Sequence, residues 1–344
     1  MFPEDLIAWR WWQRRQNPLR LLRSALRPDT PARPWLAVRG TSPRLLVALD
    51  ATTPTQLASL VRPLELLGEN VAAAVLAPSR LNGVLPGEWT WTEVDGAAHY
   101  GAARPEVLDE VASVLAVGHY LPVGAQAEQW AHELSAQLFV VQHGLLTPHA
   151  PPLPRGAHLF SFTDTDAEFA ASGRTDVAHT TVGSQLLWAA APGAGTVVSD
   201  RPVYLGQLHG AELPRAGKAR AAGGFCRETG AEYRPHPAET DLLSRLQHRR
   251  WASQGIAFDR SGLPLAGLGR PVVSAFSTGV LEAAARGVPA WVHYPRPPVW
   301  LSEFWERYGM LPWGGDPTPS PVRPAPEPAQ AIASHLLETL GARP

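Results

Sequence analysis

The residues from Ser274 to Glu282, S-A-F-S-T-G-V-L-E, join small hydroxyl residues and a glycine to the start of an apolar helical stripe. Val280, Leu281, Ala284 and Ala285 share one helical side, so Ser277, Thr278 and Gly279 stand at a helix N-terminus. Free N–H groups and the helix dipole make that place suitable for a phosphate. Glu282, one turn in, is positioned to accept from a ribose hydroxyl, and Ser274 closes the preceding strand. A second group is Arg234-Pro235-His236-Pro237. Two prolines restrict the backbone around His236, and His236 with Arg234 offers charged donors for a phosphate. A turn histidine without a ligand is the plainer account. The third is Gln142-His143-Gly144. A histidine near neutrality there could act as general base on an acceptor hydroxyl, donate to a phosphate, or fix its loop by bonding backbone.

Two weaker candidates share the same kind of position. Gly183-Ser184-Gln185 is a strand-to-helix junction in which Ser184 reads first as an N-cap. Asp50 ends an apolar run before Thr52-Thr53-Pro54 and reads first as a residue that starts a helix. His149, among Pro148, Pro151, Pro152 and Pro154, reads as part of a loop rim. Metal signatures are missing: there is no H-E-x-x-H, no supported D-x-D, and Cys226 is the only cysteine. That cysteine count also excludes an intrachain disulfide. Neither G-x-x-x-x-G-K nor G-x-S-x-G occurs, so neither a P-loop nor a nucleophile elbow is expected.

The elements that must position these groups follow from pattern. The 344 residues suffice for two domains with separate cores. A net charge of −1 with 45% hydrophobic residues describes a globular chain and argues against broad electrostatic binding of DNA. Lys218 is the sole lysine among 30 Lys and Arg residues, which lowers the weight of any single arginine. No apolar run reaches the ~20 residues that span a bilayer. A cytoplasmic location is the expectation. Residues 1–40 are basic and rich in Trp and Arg and read as helical. That segment either packs on the first domain with its arginines in water or touches the inner membrane surface through residues 1–30. Compact apolar runs at 45–49, 71–77, 114–118, 138–141, 158–162 and 177–182 alternate with helical spacing at 54–67, 105–113, 126–136, 164–171 and 184–190. Beyond a boundary at 192–200 the alternation restarts, with strands at 202–205, 232–234, 256–258, 271–273 and 288–292. The helices between and after them fall at 213–228, 241–252, 278–286 and 302–308. The pattern predicts an α/β protein of two Rossmann-like, doubly wound parallel-sheet domains, 41–195 and 196–315, facing across a cleft. A Pro-rich segment and terminal helix occupy 316–344. Ligands of such sheets bind at the C-terminal strand ends. Gln142–Gly144, Gly206–Gln207, Arg234–Pro237 and Ser274–Glu282 all stand at such ends.

F-S-T-G-V-L-E-A-A-A-R-G-V-P-A-W resembles the donor-nucleotide segment of the GT-B glycosyltransferase superfamily, and R-P-H-P resembles the His-Pro motif of its polysialyltransferase, Kdo-transferase and CDP-glycerol transferase branches. V-V-Q-H-G-L-L-T-P is similar to a loop on the acceptor side of several such enzymes. The resemblance implies a GT-B-like fold, with His236, Ser277, Thr278 and Glu282 at a nucleotide sugar and no metal or cofactor required. It implies a metal-independent transferase that moves a sugar or related group to a hydroxyl of a glycan or lipid-linked acceptor. Arg234, Ser274 and Gly279 complete the expected donor site, and His143 is the expected catalytic residue. The acidic pair followed by Gly that serves as base in polysialyltransferases is missing, and the residue seven before Glu282 is Ala275. Two alternatives remain: a non-catalytic nucleotide-, RNA- or partner-binding protein on the same scaffold, and a sugar-nucleotide epimerase of related fold.

Overall fold

The computed structural model describes residues 5–16, 33–95, 101–191 and 195–341. They form two compact units. The first runs to Gly144, continues over Ala150–Leu186 and resumes at Pro324; the second holds Leu145–His149 and Leu187–Arg323.

The first unit is built on an eight-stranded sheet. Its strands are β1 (Trp35–Arg39), β2 (Leu45–Ala48), β3 (Ala73–Ala77), β4 (Thr90–Glu93), β5 (Ser113–Ala116), β6 (Gln137–Val141), β7 (His158–Ser161) and β8 (Ala178–Thr181). Their spatial order is β4-β1-β3-β2-β5-β6-β7-β8. The six from β3 to β8 in that order are parallel, with Val47 facing both Val75 and Leu115. β2 and β5 are buried along their whole length, as strands covered on both faces must be. Successive residues of β2 feed opposite cores. Leu45 and Val47 pack with α2, which is built from Pro54–Gln56, a π turn at Leu57–Val61 and Arg62–Leu66. Leu46 and Ala48 pack with Val123, Ala127 and Trp130 of α3 (Pro122–Leu134).

Several expectations change here. Trp35–Arg39, inside the span read as helical, is a strand that runs antiparallel to both β3 and β4. Backbone pairing on both of its sides, and not local pattern, makes it a strand. The helix expected over 105–113 is a single 3₁₀ turn at Glu106–Leu108. The N–H groups of Ala112 and Ser113 both donate to the Arg44 carbonyl (2.9 and 3.1 Å), which draws the chain into the sheet. From the basic segment, α1 (Leu6–Gln16) packs Trp9 edge-on to Tyr120 at 5.6 Å and exposes Arg14 and Arg15. The other residues expected in that segment, 1–4 and 17–32, lie outside the described ones.

The second unit has four parallel strands in the order β10-β9-β11-β12: β9 (Val203–Leu205), β10 (Glu232–Arg234), β11 (Val272–Ser274) and β12 (Ala290–Val292). Their helices are α6 (Arg215–Thr229), α7 (Leu242–Ser253), α8 (Thr278–Ala285) and α9 (Val299–Arg307). Val203 and Leu205 pack to one side and Tyr204 to the other, so this sheet is also covered on both faces. The strand expected at 256–258 is reduced to one bridge between Phe258 and Tyr233.

The two remaining helices of the first unit are α4 (Asp164–Ala171), capped by Thr163, and α10 (Pro328–Gly341). α10 sets Ile332, Ala333, Leu336 and Leu340 into the β2–α2 core. Arg44 Nη1 donates to the Leu340 carbonyl at 2.7 Å. α10 is therefore part of the first unit's core. Leu336 is fully buried there, so Leu336→Ala should cost about 3 kcal/mol. Urea unfolding should show an earlier transition; an unshifted midpoint would mean that α10 is dispensable.

Candidate functional site

All four strand ends of the second unit lie on one edge, and one buried carboxylate ties the turns there together. Glu239 is 5% exposed and sits three residues beyond His236. Its Oε1 accepts from the Leu208 N–H at 2.9 Å, and its two oxygens lie 3.0 and 2.9 Å from the Tyr233 hydroxyl. His248 Nε2 of α7 lies 2.9 Å from Oε2. An ionised carboxyl only accepts, so each partner donates. The turn after β9, the turn after β10 and α7 are thereby joined. Gly206 is required by this arrangement, since a Cβ there would stand 2.4 Å from Tyr233 Oη and 2.6 Å from Glu239 Oε1.

The joined turns place two histidines face to face. The His209 and His236 rings stack with centroids 3.9 Å apart and planes 22° off parallel. His236 Nδ1 accepts from the Ala238 N–H at 3.1 Å, so the neutral ring carries its proton on Nε2. Burial lowers the His209 pKa to about 4, helped by His236 and Lys218. Burial also lowers that of His236, against the pull of Glu239. Lys218 donates to the Gly210 carbonyl, next in sequence to His209, and burial lowers its pKa to about 8. An anion beside this cluster would favour the protonated forms.

At the turn after β11 the hydroxyls divide. Ser274 is fully buried and bonds inward to Gln207 Oε1 (3.0 Å) and the Leu205 carbonyl (3.3 Å). The same Gln207 oxygen accepts from the Phe276 N–H at 3.1 Å. Ser274 and Gln207 thus shape the turn. Ser277 caps α8 by accepting from the Gly279 N–H at 3.1 Å, and Thr278 follows half-buried at the first helical position. Gly279 permits close packing: a Cβ would stand 2.6 Å from Leu205 Cδ1 and 2.9 Å from Leu265 Cδ2. Glu282 is half-buried and makes no hydrogen bond among the described residues. Burial raises its pKa, against the fields of Arg286 and Arg234. Arg234 is held by Asp259 at 2.7 Å and by the Leu263 carbonyl, so it supplies a fixed positive field and not a mobile clamp. His149, expected at a rim, packs edge-on to Trp300 at 5.6 Å within this unit.

In the first unit, the Tyr120 hydroxyl lies 3.3 Å from His143 Nε2. Burial holds the His143 pKa near 4, against a backbone hydrogen bond with Val141. The expected near-neutral pKa is therefore corrected: the ring is neutral at pH 7 but a weak base. Gln142 joins three segments, donating to the Gly144 carbonyl and to Asp166 Oδ2 (both 3.1 Å) and accepting from the Phe162 N–H at 2.8 Å. Asp50 accepts from the Val123 and Gly124 N–H groups at 2.8 and 3.0 Å. It serves the N-terminus of α3, with burial raising its pKa to about 6. Gln185, at the start of α5 (Gln185–Ala190), bonds Glu327 and the Ala329 N–H at the approach to α10.

Neither a protein-family model nor a curated protein matches the chain. Solved structures do. A crystal structure of UDP-GlcNAc 2-epimerase from Methanocaldococcus jannaschii, in complex with UDP-GlcNAc and UDP, matches with a TM-score of 0.50 at 12% identity. The match covers 86% of this chain and 99% of that one. A second structure of that epimerase matches at a TM-score of 0.46 and 13% identity, with the same coverage. The fold is GT-B-like. At this identity the likeness speaks for architecture alone.

Sequence spacing did not expose Glu239, His248 or His209, because the partners of Glu239 lie 31 residues before it and 9 after it. Glu239→Ala would strand the Leu208 N–H and the Tyr233 hydroxyl, costing about 3 kcal/mol, whereas Tyr233→Phe should cost about 1. Equal denaturation midpoints for both would refute the network's role. In the first unit, burial lowers His119, His143 and His158 each to about 4 from an ordinary 6.5. The folded state resists their protonation, so stability present above pH 6.5 is lost as pH falls toward 4. Asp50 opposes this weakly, being favoured as pH drops below about 6. Urea midpoints should be lower at pH 5 than at pH 7.

Proposed function

We propose that the second unit binds a nucleotide-activated sugar at the C-terminal ends of β9–β12, and that the protein transfers the sugar or a related group to a hydroxyl acceptor. The observation that carries this reading is the pairing of His209 and His236 on a turn anchored by Glu239. The ring Nε2–H of His236 and the field of Arg234 suit a diphosphate, with Ser277, Thr278 and Gly279 at the α8 N-terminus as further contacts. Glu282, which makes no hydrogen bond among the described residues, suits a ribose diol. Donors fixed in advance near a departing diphosphate would stabilise the charge that develops as the glycosidic bond breaks. The R-P-H-P element supports a place near the His-Pro branches of the superfamily.

Proton removal from the acceptor is assigned to His143. For that step the acceptor hydroxyl must replace Tyr120 at Nε2. A second reading, epimerisation of the sugar, is favoured by the fold shared with the M. jannaschii epimerase. Inverting a carbon by proton removal and return needs an acid and a base. Asp50 and Glu239 are engaged in bonds within their own units, so neither is free for that role.

Thermal unfolding with CMP-, CDP-, UDP- and GDP-linked sugars tests binding. A ligand at a hundred times its Kd should add ~2.7 kcal/mol; His236→Ala should remove that protection. If no nucleotide sugar protects, the reading fails. Because the bound phosphate raises both histidine pKa values, binding takes up protons. Affinity should therefore increase as pH falls from 7 toward 5, and a flat profile would place the phosphate elsewhere. His143→Ala should leave affinity unchanged and lower turnover by ~10²–10⁴. Normal turnover in that variant would remove His143 from the chemistry.

A further inference from the structure

Helix α7 has two unlike sides. Ser244, His248 and Trp251, spaced i, i+4 and i+7, face inward: Ser244 Oγ accepts from Arg215, His248 bonds Glu239, and Trp251 packs on Tyr233 with ring centroids 4.7 Å apart. The outer side carries Leu242, Leu243 and Leu246, which are 56%, 46% and 49% exposed. Three leucines about half exposed within five residues are more than scattered surface apolarity accounts for. Arg245, Arg249 and Arg250 share that side, are exposed, and make no side-chain hydrogen bond or ion pair among the described residues. The helix contains no acidic residue, and its cap Asp241 is engaged with Ser244 and Arg215.

We propose that this outer side of α7 docks on an anionic membrane surface, the leucines entering the headgroup–acyl boundary and the arginines meeting lipid phosphates. An apolar row flanked by unpaired cations on a helix parallel to the surface is the pattern that such binding requires. A two-fold contact between copies of this chain would set arginines against arginines with no carboxylate to offset them. Nucleic acid would satisfy the arginines and leave the leucines in water. Lipid matches both. The docked helix is the one whose inner side holds Glu239, so the histidine pair would work close to the membrane.

The test is cosedimentation of the full chain with phosphatidylcholine vesicles, with and without phosphatidylglycerol. Binding should require phosphatidylglycerol and weaken with added salt. Arg245→Gln/Arg249→Gln/Arg250→Gln should lower the partition coefficient ~100-fold, about fivefold per arginine. Leu242→Ser/Leu246→Ser should lower it at least about tenfold. All these side chains are exposed, and unchanged thermal unfolding of the variants confirms that folding is intact. Absence of binding, or binding retained in both variants, overturns the proposal. So does a change in sedimenting mass in the variants without change in vesicle binding, which would make this side a contact between copies.

Discussion

The carboxylate of Glu239 is the interaction on which the second unit's strand-end edge depends. A buried carboxylate is tolerated only when its desolvation is offset by donors. Here a backbone N–H, a tyrosine hydroxyl and an imidazole supply them. Because these donors come from a turn, a strand and a helix while Glu239 sits on the turn after β10, satisfying the charge also fixes how the two turns meet. An apolar residue of similar size would fill the space without imposing that geometry. The face-to-face placement of His209 and His236 follows from it, as does the need for glycine at 206.

The same economy governs the turn after β11. Its groups fall into those that make the turn and those the turn presents. Ser274 and Gln207 are committed inward, and Gly279 is there because leucines press on it from two directions. What remains toward solvent is the Ser277–Thr278 helix start and the unbonded Glu282. A ligand entering such a site meets donors already held in place, so little ordering entropy is lost on binding.

Much of this was legible in the sequence. The βαβ grammar around 271–292, the helix at 164–171 and the strand 232–234 follow from local pattern, which acts over a few residues. The failures share a different cause. Trp35–Arg39 is a strand because β3 and β4 flank it, and Ala112–Ser113 leaves helical form because the Arg44 carbonyl takes both N–H groups. Hydroxyl residues at a strand end look alike in sequence whether they face a ligand or a neighbouring turn; only Gln207, 67 residues away, separates Ser274 from Ser277. Likewise, burial sets the state of His143 and Tyr120 sits at its Nε2, and neither is visible in Q-H-G.

α7 shows how one element can serve both the interior and the exterior. Its inner stripe is largely polar where an ordinary surface helix is apolar, because it must hold a carboxylate; its outer stripe sets three leucines among its arginines where an ordinary one is polar throughout. Trp251 supplies most of the apolar packing on the inner side, and Ser244 and His248 contribute bonds more than buried area. A helix so arranged gains little from exposing three leucines to water, and solvent alone offers no reason for them. The inversion is consistent if the outer side also has a partner. A partner that orders α7 from outside would stiffen the His248–Glu239 contact within, and with it the turn that carries His236.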